Sequence, residues 1–225
     1  VYKRQWHGRS PDGQGRAIKQ LHRLICYALE TLDWNLEACI GDPVEALSLV
    51  LYCDADFAGD HKDSTSTSGA VVALVGPNSY VPISAMCKTQ KVTPHSSTEA
   101  EIVALDYALH NEGLPILTFW EEIVQLFGRR KQPGQGETPS SASPLVTFII
   151  AEDTEAAIKI ALKGRCPTMR HIHRTHRVDM DRLHETCTNE TVQLRYINTH
   201  AQTADILTQH FTRIDTWQQL CRLLN

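Results

Sequence analysis

The chain has 225 residues, 42% of them hydrophobic, which suffices for one substantial core with a smaller appendage at one end. Its formal charge of -4 gives no basic footprint of the kind nucleic-acid binders usually carry, although acids that hold cations also lower the net charge of proteins that act on phosphates. Seven cysteines without CxxC spacing argue against a disulfide framework and a zinc site, and with neither a long apolar run nor a signal peptide the expectation is a soluble, intracellular protein with no membrane partner.

Ile18, Leu21, Leu24, Ile25, Ala28, Leu29 and Leu32 recur at helical spacing and predict an amphipathic helix over 16–37. Leu47 to Cys53 is a short apolar run, read as a buried strand that ends at Asp54 and carries that acid at its tip. Two more strands are expected over 69–75 and 80–86, joined by the turn residues Gly76-Pro77-Asn78-Ser79, so that the first three strands form an antiparallel meander. Ser96-Ser97-Thr98-Glu99 reads as a helix cap with acids in the first turn; the helix spans 100–109 and continues after Gly113 over 114–127. Residues 129–144, rich in Pro, Gly, Ser and charge, are expected to be a flexible insertion. A strand over 145–151 then leads to Asp153 and a helix over 155–162, followed by a helix over 174–185. The last strand, 191–197, leads to a helical region that begins with Asp205 and closes with an amphipathic stretch over 214–224.

Asp54, Asp153 and Asp205 thus stand at the ends or starts of apolar elements, and Glu101 stands in the first turn of a helix. Hydrolysis of a phosphodiester needs a deprotonated water and a neutralised leaving oxygen, and two divalent cations roughly 3.5–4 Å apart provide both. Magnesium takes hard oxygen donors and keeps several waters, so a few converging carboxylates can hold it. Spacing alone does not separate such a site from acids that merely flank strands. His171, His173, His176 and His184 stand among arginines without a cysteine pair at zinc spacing, which reads either as a basic face that tracks phosphates or as a solvated helix face.

The residues around the acids add a family resemblance. Tyr52-Cys53-Asp54-Ala55-Asp56-Phe57-Ala58-Gly59-Asp60 with Ser66-Thr67-Ser68-Gly69 resembles YSDADWAGD and STSG; Pro82-Ile83-Ser84, Lys88-Thr89-Gln90-Lys91 and Ser96-Ser97-Thr98-Glu99-Ala100-Glu101 resemble PISW, KKQK and SSTEAE. Arg174-Thr175-His176-Arg177-Val178-Asp179-Met180 is similar to RTKHIDI, and Thr203-Ala204-Asp205-Ile206-Leu207-Thr208 to LADIFTK. These are the ordered motifs of the ribonuclease H region in copia-type retrotransposon Pol polyproteins, and the likeness runs over residues 17–211. Two departures stand out: CDNQSAI is replaced by Glu152-Asp153-Thr154-Glu155-Ala156-Ala157-Ile158, and the lysine after ADIFT by Gln209.

The resemblance implies a ribonuclease H-like α/β fold, a five-stranded mixed sheet with the antiparallel meander first and helices on both sides. It implies an endonuclease that cuts the RNA strand of RNA/DNA hybrids during reverse transcription. Asp54, Glu101, Asp153 and Asp205 would be its catalytic residues, holding two Mg2+ ions, with Mn2+ as a substitute. Glu101 is preferred to Glu99 because Ala100 to Leu105 matches the AELLAL-like helix of ribonucleases H, and Asp56 is read as a supporting acid. Ser97, Thr98, Arg174, His176, Arg177 and His200 are the candidate substrate contacts. Residues 1–46 are similar to the connection segment that follows the reverse transcriptase, 47–212 to the ribonuclease H domain, and 213–225 form a C-terminal helix. Implied partners are the hybrid, the reverse transcriptase and other Pol portions; the implied location is the cytoplasm, within retrotransposon particles. Two rival readings stay open: a degenerate domain kept as a nucleic-acid-binding or polymerase-supporting module, and a superfamily nuclease that acts on DNA.

Overall fold

The computed structural model describes residues 11–59, 64–127, 146–211 and 213–224; the expected insertion at 129–144 lies outside them. Contacts divide the chain into two compact units, Val1–Glu37 and Ala38–Asn225. In the first, helix α1 (Pro11–Glu30) starts and stops earlier than the expected 16–37. It stops where the backbone N–H and the hydroxyl of Thr31 both turn back to the Tyr27 carbonyl, at 3.0 and 2.8 Å. Leu32 therefore falls outside the helix, whose apolar residues Ile18, Leu21, Ile25 and Leu29 are exposed like it.

The second unit is built on strands β1 (Ser48–Asp56), β2 (Thr67–Gly76), β3 (Ser79–Thr89), β4 (Thr147–Glu152) and β5 (Val192–Tyr196). They form one sheet in the order β3-β2-β1-β4-β5. β1, β2 and β3 pair antiparallel in succession, and β4 lies parallel to both β1 and β5. The pair Gly76↔Ser79 closes the first hairpin around Pro77-Asn78. Asp42 secures that turn: its carboxylate accepts the Asn78 backbone N–H and the Ser79 hydroxyl, each at 2.7 Å. Next to it, Cys39 and Tyr80 exchange backbone hydrogen bonds of 3.1 and 2.9 Å on the side of β3 away from β2.

Helices α2 (Ser97–Ala108) and α3 (Leu114–Phe127) are joined by a π-turn, Leu109–Gly113. After β4 come α4 (Glu155–Lys163), α5 (Ile172–Thr175) and α6 (Met180–Cys187); after β5 come α7 (Asp205–Thr208) and α8 (Ile214–Leu224). The single helix expected over 174–185 is in fact two pieces. Arg177 takes a left-handed φ of 61°, and the Asp179 carboxylate accepts the N–H groups of Asp181 and Arg182, both at 3.2 Å, which starts α6 afresh. α4 ends at Gly164 with φ 69°, where a non-glycine residue would be strained.

Strand alternation sends successive side chains of β1 to opposite faces. On one face Leu49, Leu51 and Cys53 join Ala70, Val72 and Leu74 of β2, Phe148 and Ile150 of β4, and Ile102 and Leu105 of α2 in the main core. On the other, Val71 packs with Ile206, Leu207 and Leu220, and with the partly buried Tyr52 and Trp217, so α7 and α8 cover that side. A mixed five-stranded sheet with the meander first and helices on both faces is the ribonuclease H-like fold. Among the described residues no helix is long and apolar enough to cross a membrane.

β1 differs from expectation in one respect that positions the site. Asp54 lies inside the strand, not at its tip, because β2 stays paired with β1 as far as Asp56↔Thr67. The parallel pairing with β4 stops earlier, at Tyr52↔Ala151. Beyond that point β1 is open on the β4 side. Opposite Asp54 stands Gly69, where a Cβ would lie 2.6 Å from Thr208 Cγ2 and 3.1 Å from the Ala204 carbonyl oxygen. Glycine thus lets α7 lie directly on β2. Gly69→Ala is expected to push α7 outward and cost about 1–3 kcal/mol, the usual range for overpacking. A lowered urea midpoint with an unchanged m value would show it.

Candidate active site

The open end of β1 gathers the acids. Asp54 of β1, Glu101 of α2 and Asp153, which follows β4, each bring a carboxylate oxygen within 4.8 Å of the others. Asp54 is 5% exposed and Glu101 7%. Glu101 joins this cluster and Glu99 does not, since residues two apart on a helix point to nearly opposite sides. Asp205, the first residue of α7 and also buried, lies outside this tight group but near enough to Asp54 and Asp153 that both raise its pKa.

Burial is the leading cause of the shifts here, and neighbouring carboxylates add to it. Burial pushes Asp54 up to about 6, with Asp153 adding to the rise and the Thr208 hydroxyl opposing it. Burial and then Asp54 and Asp153 push Asp205 up to about 8. Glu101 is raised by burial and then by Glu152, Asp54 and Asp153. Two oxygens in this group, Glu101 Oε2 and Asp205 Oδ1, are buried without a hydrogen-bond partner. Such oxygens are costly unless a proton or a cation meets them.

Other side chains hold these acids in place. Thr208, on the same short helix as Asp205, donates its hydroxyl to Asp54 Oδ2. Gln209 Nε2 donates to Asp205 Oδ2 at 2.9 Å, and Thr199 Oγ1 to Asp153 Oδ2 at 2.7 Å. Gln202 is wholly buried, and its Nε2 donates to the carbonyls of Cys53 at 2.8 Å and Ala151 at 3.4 Å. Its carboxamide therefore bridges β1 and β4 where their own pairing ends. Glu152 is 0% exposed; its oxygens accept the Cys53 thiol at 3.3 Å and the Thr154 N–H at 3.2 Å. Burial raises its pKa, with Asp153 and Asp54 adding to the effect. Neither Gln202 nor Glu152 stands out among the motifs. An acid closing the apolar run Thr147 to Glu152 was the one available signal, and nothing local marks Gln202.

The candidate substrate contacts are spread wider. Ser97 is exposed and Thr98 half-buried at the start of α2, two turns of chain or less from Glu101. Arg174 and Arg177 are exposed, and exposed His200 lies in the 3-10 turn Thr199–Ala201, whose Thr199 touches Asp153. His176 is not on the surface: its side chain is 3% exposed, with Nε2 2.9 Å from Glu99 Oε1. His171 Nε2 lies 3.0 Å from the same oxygen, and the His95 backbone N–H donates to Glu99 Oε2 at 3.1 Å. Burial alone would raise the Glu99 carboxyl, but the His95 N–H and the imidazoles of His171 and His176 outweigh it and hold it below its ordinary value.

No family profile matches the chain. Two curated relatives from Arabidopsis thaliana, the retrovirus-related Pol polyproteins from transposons RE2 and RE1, are 42% and 39% identical over 81 and 84 residues, or 36% and 37% of this chain. The match spans 5% of the length of each relative. Among solved structures, LC11-RNase H1 isolated from compost is 13% identical with a TM-score of 0.41, covering 72% of this chain and 92% of that one. The N-terminal RNase H domain of rv2228c from Mycobacterium tuberculosis is 14% identical with a TM-score of 0.42, covering 78% of this chain and 97% of that one. Over these stretches of 81 and 84 residues the chain is similar to retrovirus-related Pol polyproteins of copia-type transposons, and its β3-β2-β1-β4-β5 sheet gives it a ribonuclease H-like fold.

Proposed function

We propose that the chain is a metal-dependent ribonuclease H that hydrolyses the RNA strand of RNA/DNA hybrids as part of a retrotransposon Pol polyprotein. The observation that carries this reading is the meeting of Asp54, Glu101 and Asp153 beside Asp205 at the open end of β1. The donor set is all carboxylate, with two buried oxygens left without partners, which suits hard divalent cations. On this reading Asp54, Glu101, Asp153 and Asp205 hold two Mg2+ ions, with Mn2+ as a substitute. When bound, such a pair supplies Lewis-acid charge and a water of lowered pKa.

The chain's own residues supply position. Thr208 and Thr199 fix the rotamers of Asp54 and Asp153 through their hydroxyl hydrogen bonds. Gln202 keeps the ends of β1 and β4 at a set separation. Ser97 and Thr98, close in sequence to Glu101, would meet the backbone of a hybrid whose wide minor groove displays 2′-hydroxyls. Exposed Arg174 and Arg177 add cationic contacts for phosphates, and His200 contacts the cut strand from the turn beside Asp153. His176, enclosed against Glu99, supports this surface from beneath. We further read residues 1–46 as the connection from the reverse transcriptase, 47–212 as the nuclease domain and 213–225 as its terminal helix, working with other Pol portions inside cytoplasmic particles.

Cleavage of a labelled RNA/DNA hybrid in Mg2+ tests this directly, with duplex DNA and duplex RNA offered alongside. Hybrid alone should be cut, and Asp54→Asn should lower the rate by roughly 10²-fold or more, the scale of losing one charge-stabilising group. Equal rates for parent and variant would remove the metal assignment. Preferred cleavage of duplex DNA would favour the DNA-directed rival, and no cleavage by either protein would leave a binding module.

The carboxylates also set a pH dependence for the chelator-treated protein. Asp54 titrates near 6 and Asp205 near 8 when folded, against an ordinary value of 3.8. Between these values the folded chain keeps protons that the unfolded chain has released, so stability falls as pH rises. The melting temperature without metal should therefore drop from pH 5 to pH 8, and added Mg2+ should restore it most at the higher pH. A metal-free melting temperature that rises over the same range would contradict the buried-acid account.

A further inference from the structure

A second group of metal-binding side chains lies outside the carboxylate cluster. His95 precedes α2, Glu99 lies in its first turn, and His171 stands just before α5; each offers one ligand atom within 4.8 Å of the other two. His176, just past α5, closes the group from the buried side. Its Nε2 lies 2.9 Å from Glu99 Oε1, yet that nitrogen is enclosed without an aligned hydrogen bond.

We propose that His95, Glu99 and His171 form a site for a single zinc-type divalent cation, with His176 packed against the same glutamate from the buried side. Two imidazole nitrogens with one carboxylate oxygen form a borderline-soft, three-donor set, which suits Zn2+ with a water in the fourth position and is a poor match for Mg2+. In tetrahedral zinc, bonds of 2.0–2.1 Å place the donors about 3.4 Å apart. His171 Nε2 stands 3.0 Å from Glu99 Oε1, so loading parts this pair by a few tenths of an ångström, while His95 closes in from within 4.8 Å of both. The His95 and His171 rings meet edge to face, with centroids 5.0 Å apart; His95 is exposed, which leaves an outer route of entry. The His95 N–H that donates to Glu99 Oε2 fixes the carboxylate's orientation, the role of an outer partner at a metal ligand.

The centre has three protein donors and leaves a fourth position to water. It joins the approach to α2, the first turn of α2, and the start of α5. Bound metal would tie the segment bearing Arg174 and Arg177 to the helix that carries Glu101. The inference does not depend on the nuclease reading, because it uses none of the four acids assigned there.

The test is a titration of the chelator-stripped chain with ZnCl2 against a competing chelator, backed by the visible absorption of the Co2+-loaded protein, which reports tetrahedral coordination. The parent and Asp54→Asn should each bind about one ion, while His95→Ala and His171→Ala should bind at least about 100-fold more weakly. His95 is exposed, so His95→Ala should match the parent's metal-free circular dichroism and melting curve while losing the rise in melting temperature that zinc gives the parent. Unchanged zinc affinity in both histidine variants, or affinity lost in Asp54→Asn and kept in His171→Ala, overturns the proposal. So does the absence of zinc binding by the parent.

Discussion

The constraint on which the site depends is the repulsion among carboxylates that the fold forces together and hides from water. Two like charges roughly 4 Å apart repel by about 4 kcal/mol at an effective dielectric of about 20. Asp54, Glu101 and Asp153 meet within such distances, with Asp205 and the fully buried Glu152 nearby. A chain selected for stability alone would not keep this arrangement. The surrounding structure holds it regardless: β1 outruns β4, Gln202 bridges the gap, and the missing side chain at Gly69 lets the helix of Asp205 and Thr208 lie on the sheet. Raised proton affinity is what remains when no cation is present to neutralise these groups.

Helix α2 serves two donor sets at once. Glu101 turns toward the other carboxylates, while Glu99, two residues earlier, turns toward imidazoles. The Ser96 hydroxyl accepts the Glu99 N–H at 3.1 Å and fixes the first turn from which both acids project. Position along one helical turn therefore separates an all-oxygen environment from a nitrogen-rich one, although the two glutamates are near neighbours in sequence.

Much of this was legible because it is local. Two apolar runs with Pro77-Asn78 between them announce the hairpin, and Ser96 with Glu99 announces the start of α2. The acids were picked out by ordered motifs, and spacing alone would not have singled them out among 26 Asp and Glu residues. What escaped the reading depends on contacts distant in sequence. β1 extends past Asp54 because β2 continues to pair with it, and the break between α5 and α6 follows from a left-handed Arg177 and an Asp179 cap. Gln202 matters because two strand ends diverge beside it. The grouping of His95 and Glu99 with His171 and His176 needs residues some seventy positions apart to meet, and the usual cysteine spacing that flags zinc is absent.

The bridge between Cys39 and Tyr80 has a consequence for self-association. β3 is an outer strand of the sheet, and an outer strand's unmet backbone groups can recruit a strand from another molecule. Here the outward N–H and carbonyl of Tyr80 are already taken by the chain's own segment, and Pro82, two residues on, has no N–H to donate. The hairpin end of β3 is thus closed to intermolecular sheet growth, a safeguard against aggregation provided by residues that precede the first strand.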